Sequence, residues 1–292
     1  MQKDSIDFNT SPLISIGMPV FNGEKYIKEA LDSLLSQNLI DFEVIISDNS
    51  SSDGTQNICE EYAARDSRIR YSRQDKNIGV IRNFRYVLDR SEAEYFMWLA
   101  YDDYLGDGDY LLRLYSSLGG HNFCFPRIDI LNMDGEGSYI LENVTENFEK
   151  CKSGFDFCKQ TVNICSYQIY GLYKKSFLLK NYHFIDSCSH MKCYGEGLAV
   201  HAMTVISPPC YEPNVRLIYR RHNENVSSAS NGKHYKDFFE FTIKVVAFYG
   251  KKTNFNCRRK LSIIKDICFL YVKKMLILLF PRLFKLKKYL KR

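Results

Sequence analysis

A membrane-spanning helix needs roughly 20 apolar residues in a row. The longest uninterrupted apolar run in the C-terminal region of this chain is only Met275 to Pro281. The opening stretch, MQKDSIDFNTSP, is polar and lacks the apolar h-region of a secretory leader, so no leader is expected. The ten cysteines include no Cys-x-x-Cys pair. In a chain of this size that pattern predicts buried free thiols in a reducing cytosol rather than a disulfide scaffold. Cys151, Cys158 and Cys165 recur every seven residues, and Cys188, His190 and Cys193 cluster. Zinc sites usually bring cysteines in closely spaced pairs, so buried thiols are the plainer reading. No Gly-x-Gly-x-x-Gly follows a strand signal, which argues against a dinucleotide oxidoreductase. Internal repeats and low-complexity segments are absent as well. GDGDY (106–110) lacks the full ligand pattern of a calcium loop and reads as a turn.

What is present fits a globular protein. The 292 residues are 45% hydrophobic and 14% aromatic, enough for one large domain or one domain with an appendage. Charge is unevenly placed. The net +6 divides into +13 from Lys251 onward, where 14 Lys/Arg face a single acid, Asp266, and −7 over the remainder. A mildly acidic body with a strongly basic tail predicts a tail that meets something anionic, either nucleic acid or a phospholipid surface.

The first part of the chain alternates two periods. LISIGMPV (13–20), FEVIISD (42–48), RIRYSRQ (68–74) and YFMWLAYDD (95–103) read as strands. Between them, residues 24–37 place Ile27, Ala30, Leu31, Leu34 and Leu35 on one helical face. SSDGTQNICEEYAARD opens with N-cap residues and continues as a helix, and 79–91 reads as a third helix. Strands alternating with helices of about a dozen residues predict a parallel sheet covered on both faces. Ligands of such sheets bind in the crevice beyond the carboxyl ends of the strands. Phe21-Asn22, Asp48-Asn49 and Asp102-Asp103 follow three of these strands and should gather at one edge. Farther on, 122–140 reads as two strands around a turn at Asp134-Gly135. Residues 153–178 read as helix, loop and strand, and 216–228 as a strand running into a polar loop.

Asp102 and Asp103 repel one another, and a divalent cation is the usual compensation. Mg2+ and Mn2+ prefer carboxylate oxygen and bridge to substrate phosphates. An exposed acidic turn is the plain alternative.

Four motifs in order, ISIGMPVFNGEKYIKEALDSLLSQ, FEVIISDNSSSDGT, DKNIGVIRNF and MWLAYDDYL, resemble the nucleotide-sugar-binding half of family 2 glycosyltransferases with the GT-A fold. The resemblance covers about residues 12–115 and continues more weakly through IYGLYKK and YGEGLAVHAM to IYRRHNENVSS. It implies an α/β fold of the Rossmann-like GT-A type, with a mainly parallel sheet, helices on both faces and C-terminal amphipathic helices added. By this reading 1–115 is the donor half, 116–230 the acceptor half and 231–292 a basic helical tail.

The resemblance also implies roles. Pro19, Phe21, Asn22 and Glu24 would line the base and ribose site, and Asp48 would accept from a base N–H. Asn77, Gly79 and Arg82 would approach the ribose and diphosphate, with Gly79 allowing close backbone approach and Arg82 pairing with phosphate. Asp102 and Asp103 match the family's Asp-x-Asp region. Asp103 would bind Mn2+ or Mg2+, and Asp102 the ribose or the metal. His222 in YRRH matches the position of a C-terminal metal-binding histidine, although a loop histidine bonded to a neighbour fits equally. The catalytic base that deprotonates the acceptor hydroxyl would be Glu196, with Asp186 in reserve. A base opposite the leaving diphosphate implies inversion at the anomeric carbon. Two departures stand out: Ala100 replaces an Asp of many relatives, and Glu196 stands where many have Asp.

In the tail, Arg258, Arg259, Ser262, Lys265, Asp266, Lys273 and Lys274 share one side of a helical wheel, and Ile263, Ile264, Cys268, Leu270 and Tyr271 fall mostly on the other. After Pro281 the pattern repeats, with Leu283, Leu286 and Leu290 set against lysines. Such helices lie in a membrane interface; a helix packed on the body with a solvated basic face is the alternative. Basic residues interleaved with long aliphatics suit lipid better than a nucleic-acid backbone. The expected protein is a metal-dependent glycosyltransferase at the cytoplasmic face of the membrane, acting in cell-surface polysaccharide synthesis. It would move a sugar from a nucleotide-diphosphate sugar to a hydroxyl of a glycan or lipid-linked glycan. The rivals are nucleotidyl transfer to a sugar phosphate, for which the usual basic Gly-rich N-terminal loop is missing, and a catalytically inactive, membrane-associated scaffold of the same fold.

Overall fold

In the computed structural model the described residues are 11–133, 139–151, 156, 167–182, 207–222 and scattered positions within 256–269. Glu196, Asp186, the cysteines at 158, 165, 188 and 193, His190 and most of the basic tail lie outside them.

Four parallel strands form the first half of one sheet: β1 (Ile14–Val20), β2 (Phe42–Asp48), β3 (Ile69–Arg73) and β4 (Tyr95–Trp98). β1 and β2 are buried along their whole length, which is why they read as continuous apolar runs rather than alternating ones. Pro19 sits inside β1 yet breaks no ladder. The β1–β4 pairing ends at Gly17–Trp98, so the missing N–H falls beyond it.

Helices α1 (Ile27–Leu35), α2 (Thr55–Arg65) and α3 (Val80–Asp89) make the crossovers. α1 buries Ile27, Ala30, Leu31 and Leu34, the stripe that its 3.6-residue period predicts. Just ahead of α2, Asp53 Oδ1 accepts the N–H of the first helical residue, Thr55, at 3.1 Å. α3 is locked onto β2 through Asn83, which donates from Nδ2 to the Ser47 carbonyl at 2.9 Å and accepts from Ser47 Oγ at 2.6 Å.

The sheet continues past β4 in the order β3-β2-β1-β4-β8-β6-β9-β5. The added strands are β5 (Tyr104–Leu105), β6 (Phe123–Met133), β8 (Leu172–Lys174) and β9 (Cys210–Arg221), with β7 (Tyr139–Asn143) paired to β6. Helix α4 (Tyr110–Leu118) lies between β5 and β6, and helix α5 (Lys175–Asn181) follows β8. β8 runs antiparallel to both β4 and β6, and β9 runs parallel to β6. β9 therefore points the same way as β1–β4, and its final residues arrive at the edge where those strands end.

Of the two strands expected in 122–140, the first is β6, while the second, β7, begins only at Tyr139 and runs on to Asn143; the turn expected at Asp134-Gly135 lies outside the described residues, and the strand expected from 216 begins already at Cys210. The expectation of thiols throughout needs a correction. Cys59 is a buried free thiol, but Cys124 and Cys210, direct partners in the β6–β9 ladder, are joined in a disulfide. The two chain segments that carry them lie far apart in sequence, so no local spacing announced the pair. Among the described residues no helix is long and apolar enough to cross a membrane.

Candidate functional site

Three loops meet at the carboxyl edge of the sheet and are stitched by side chains that accept backbone N–H groups. Asn22 adopts φ 53°, a left-handed conformation that Asn tolerates better than most residues. Its N–H donates to Ser51 Oγ at 2.9 Å, and its Oδ1 accepts from the Ser52 N–H at 2.9 Å. Glu24 Oε2 accepts from the Gly54 N–H at 2.9 Å, and Gly23 N–H donates to Thr55 Oγ1 at 2.7 Å. Asn22 and Glu24, expected to touch base and ribose, thus join the β1–α1 loop to the β2–α2 loop and leave Phe21 exposed between them.

Asp48 is fully buried at the end of β2. Its Oδ1 accepts from the Ser51 N–H at 2.8 Å, and its Oδ2 from Tyr71 Oη at 3.0 Å and Arg73 at 2.6 Å. Three of its roughly four acceptor sites are therefore taken within the protein. Arg73 is the direct ladder partner of Asp48 and also donates to the Ser51 carbonyl at 2.7 Å. The sequence reading missed both residues. Their period-two spacing put them on one face of β3, but nothing local said that this face met Asp48.

The third loop, 74–79, hangs from Asn49 and Asn77. Asn49 donates from Nδ2 to Asn77 Oδ1 at 3.0 Å and accepts from the Ile78 N–H at 2.8 Å. Asn77 Oδ1 also takes the Gly79 N–H at 2.9 Å. Gly79 has φ 86° and ψ 155°, a region essentially closed to residues with a Cβ. A Cβ there would meet nothing within 4 Å, so the requirement is purely one of backbone. α3 starts at the next residue, and Arg82 stands exposed in its first turn.

The acidic pair occupies the turn between β4 and β5. Both carboxylates are buried, and they look different ways. Asp102 Oδ2 lies 3.0 Å from His222 Nε2. Asp103 Oδ1 accepts from the Arg220 backbone N–H at 2.8 Å, and its Oδ2 accepts from the Tyr170 hydroxyl. Burial, with the Asp102 charge adding to it, pushes the Asp103 carboxyl well above the usual carboxylate range. The structure thus brings His222 to Asp102, and places Asp103 behind them on a tyrosine and a strand backbone. Arg220 lies near the end of β9, and His222 follows directly after the strand's last residue, Arg221. The Tyr26 ring packs against His222 at a tilt of 35° with centroids 4.7 Å apart, and its centroid lies 4.7 Å from the Arg220 guanidinium carbon.

A hard divalent ion suits these donors in kind. Carboxylate oxygen and imidazole both ligate Mn2+, and such ions commonly take one or two protein carboxylates with substrate phosphates and water completing the shell. Among the described residues no group of three or more His, Cys, Asp or Glu could enclose an ion alone. Asp102 and His222 would therefore supply part of a shell, with phosphate oxygens and water completing it.

Comparison with known proteins bears on the family and the fold. The profile described as "Glycosyl transferase family 2" matches residues 15–180. The putative teichuronic acid biosynthesis glycosyltransferase TuaG of Bacillus subtilis is 34% identical over 95 residues, 32% of this chain and 38% of that protein. Across curated relatives the matched part is between 15% and 38% of their own length. Among solved structures, S. aureus TarS 1-349 in complex with UDP-GlcNAc superposes with a TM-score of 0.67 at 18% identity, covering 94% of this chain and 75% of that one. A mannosyltransferase from Pyrobaculum calidifontis in complex with GDP-Man and Mn2+ gives a TM-score of 0.59 at 13% identity, covering 92% of this chain and 73% of that one. The mixed α/β architecture is that of GT-A glycosyltransferases. With its profile match extending over more than half of its length, the chain belongs to glycosyl transferase family 2.

Proposed function

We propose that the protein transfers a sugar from a nucleotide-diphosphate donor to a hydroxyl of a glycan or lipid-linked glycan in cell-surface polysaccharide synthesis. The observation that carries this reading is the meeting of Asp102 and His222 at 3.0 Å, at the edge where the loops after β1, β2 and β3 also converge. Donor base and ribose lie against Phe21, Asn22 and the Asp48–Arg73 pair. The diphosphate lies toward Gly79, the N-terminus of α3 and Arg82, where the first-turn N–H groups of a helix and a cation favour an anion. Asp102 and His222 hold the ion, and Asp103 supports them from behind. This revises the expectation that Asp103 itself is the principal ligand, because its oxygens already accept from Tyr170 and Arg220. When bound, Mn2+ or Mg2+ neutralises charge on the leaving diphosphate.

Residues 116–230 supply the acceptor side, with Glu196 as the base that takes the hydroxyl proton, opposite the leaving group and with inversion. TuaG's name supports a surface polysaccharide, and the TarS complex makes a UDP-sugar the first donor to try. The tail from 256 holds the protein on an anionic membrane surface at the cytoplasmic face.

The test is calorimetric binding of UDP-, GDP-, dTDP- and CMP-sugars with and without Mn2+. One nucleotide class should bind with a metal-dependent gain, and Asp102→Asn and His222→Ala should each abolish that gain. Absence of binding by every member of the panel, in folded protein, overturns the reading in favour of an inactive scaffold.

A further inference from the structure

We propose that Arg220 is a positioning residue that sets the acidic corner and ties it to helix α1, with Glu29 as its anchor; the inference rests on the donor-site reading above. Arg220 is 8% exposed, unusual for an arginine. It makes three polar contacts at this corner. Its backbone N–H holds Asp103 Oδ1 at 2.8 Å, one guanidinium nitrogen donates to the Asp102 carbonyl at 2.9 Å, and the other pairs with Glu29 in the first turn of α1. Its guanidinium also faces two rings, Tyr26 at 4.7 Å and Tyr104 at 5.3 Å.

The geometry has a direct consequence for Asp102. The carboxylate of a residue whose own carbonyl is fixed cannot swing with the β4–β5 turn. On its other side it meets His222, whose ring rests on the same Tyr26 that lies against Arg220. One guanidinium thus fixes the backbone of one proposed metal ligand and, through Tyr26, braces the ring of the other. Lysine cannot replace it, because a single ammonium lacks the planar fork that reaches a carbonyl and a carboxylate at once. Outer contacts of this kind, when removed, weaken metal affinity by about 10–100-fold.

Two variants separate this role from a merely structural one. Arg220→Lys keeps the charge and loses the fork. Glu29→Ala removes the anchor from a side chain that is 54% exposed, so folding is preserved even where the buried substitution disturbs it. Free Mn2+ is followed by electron paramagnetic resonance during titration with UDP present, and UDP affinity is measured separately without metal. Both variants should bind Mn2+ at least about tenfold more weakly, with metal-free UDP affinity unchanged. Undiminished Mn2+ affinity in both variants, beside a wild-type chain that binds the ion, overturns the positioning role alone. A wild-type chain that binds neither ion nor nucleotide overturns the donor-site reading and this inference with it.

Discussion

At the residue scale the acidic pair shows how one fold treats two adjacent carboxylates differently. Asp102 faces His222, and Asp103 is 1% exposed beneath it. Removal from water raises the Asp103 carboxyl, and the neighbouring Asp102 raises it further. The folded chain therefore holds a proton at Asp103 more tightly than the unfolded chain does. The stability this contributes is fully present below the ordinary carboxylate range, about pH 4. It is lost as pH rises from there through the raised folded value. Asp103→Asn keeps the shape and an acceptor for the Arg220 N–H, and carries no proton to lose. Thermal melts from about pH 4 to neutrality should show a flatter pH dependence for this variant than for the wild type. Equal slopes would mean that Tyr170 and Arg220 hold Asp103 ionised in the fold. Both its raised carboxyl and its orientation were hidden from the sequence, where the two aspartates are equivalent letters. Burial and partners distinguish them, and those come from β9 and from Tyr170, 67 residues or more away.

At the scale of elements the first half was legible because its signals are local. The apolar runs of β1 and β2 and the stripe of α1 arise from burial on both faces or on one, and such burial imposes a period on neighbouring residues. Close packing sharpens the point at Gly17, where β1 meets α3. A Cβ there would come within 2.6 Å of Val87 Cγ2 and 2.7 Å of Phe96 Cζ, both on buried side chains. Gly17→Ala should lower stability by about 1–3 kcal/mol, read as a lower urea midpoint at unchanged slope. Gly120→Ala, with nothing within 4 Å of the added carbon, should leave the midpoint in place. The second half was less legible. β9 begins at Cys210, but Pro213 and Asn214 interrupt the pattern there. The ladder tolerates them because its register shifts at Pro126/Arg127: Pro126 pairs with Glu212 and Arg127 with Arg216. Such an irregularity satisfies the backbone of two strands that are distant in sequence, so neither strand announces it alone.

At the scale of the whole molecule two features stand apart, the continuous sheet and the charge imbalance. The sheet carries β9 back, parallel to β1–β4, so residues near 100 and near 220 share one corner. The imbalance sets a −7 body against a +13 tail. Each basic residue near an anionic leaflet contributes on the order of 1 kcal/mol, within a Debye length of about 10 Å at 0.1 M salt. The full chain should therefore sediment with vesicles containing phosphatidylglycerol, and not with purely zwitterionic vesicles. High salt should weaken this association, and a variant lacking residues 256–292 should stay in the supernatant. Undiminished sedimentation of that variant would refute the tail as the anchor.

By itself the sequence determined the four-strand parallel frame, the edge at which the loops after its strands gather, and the family, because these rest on short-range periodicity and on motifs contiguous in the chain. Only the tertiary structure decided which aspartate faces His222, that Arg73 closes over Asp48, that Cys124 meets Cys210, and that Arg220 binds α1 to the acidic corner. Each of these pairs side chains separated by many residues. Their meeting depends on strand order and register, which the summed packing of the whole sheet sets and no local stretch encodes.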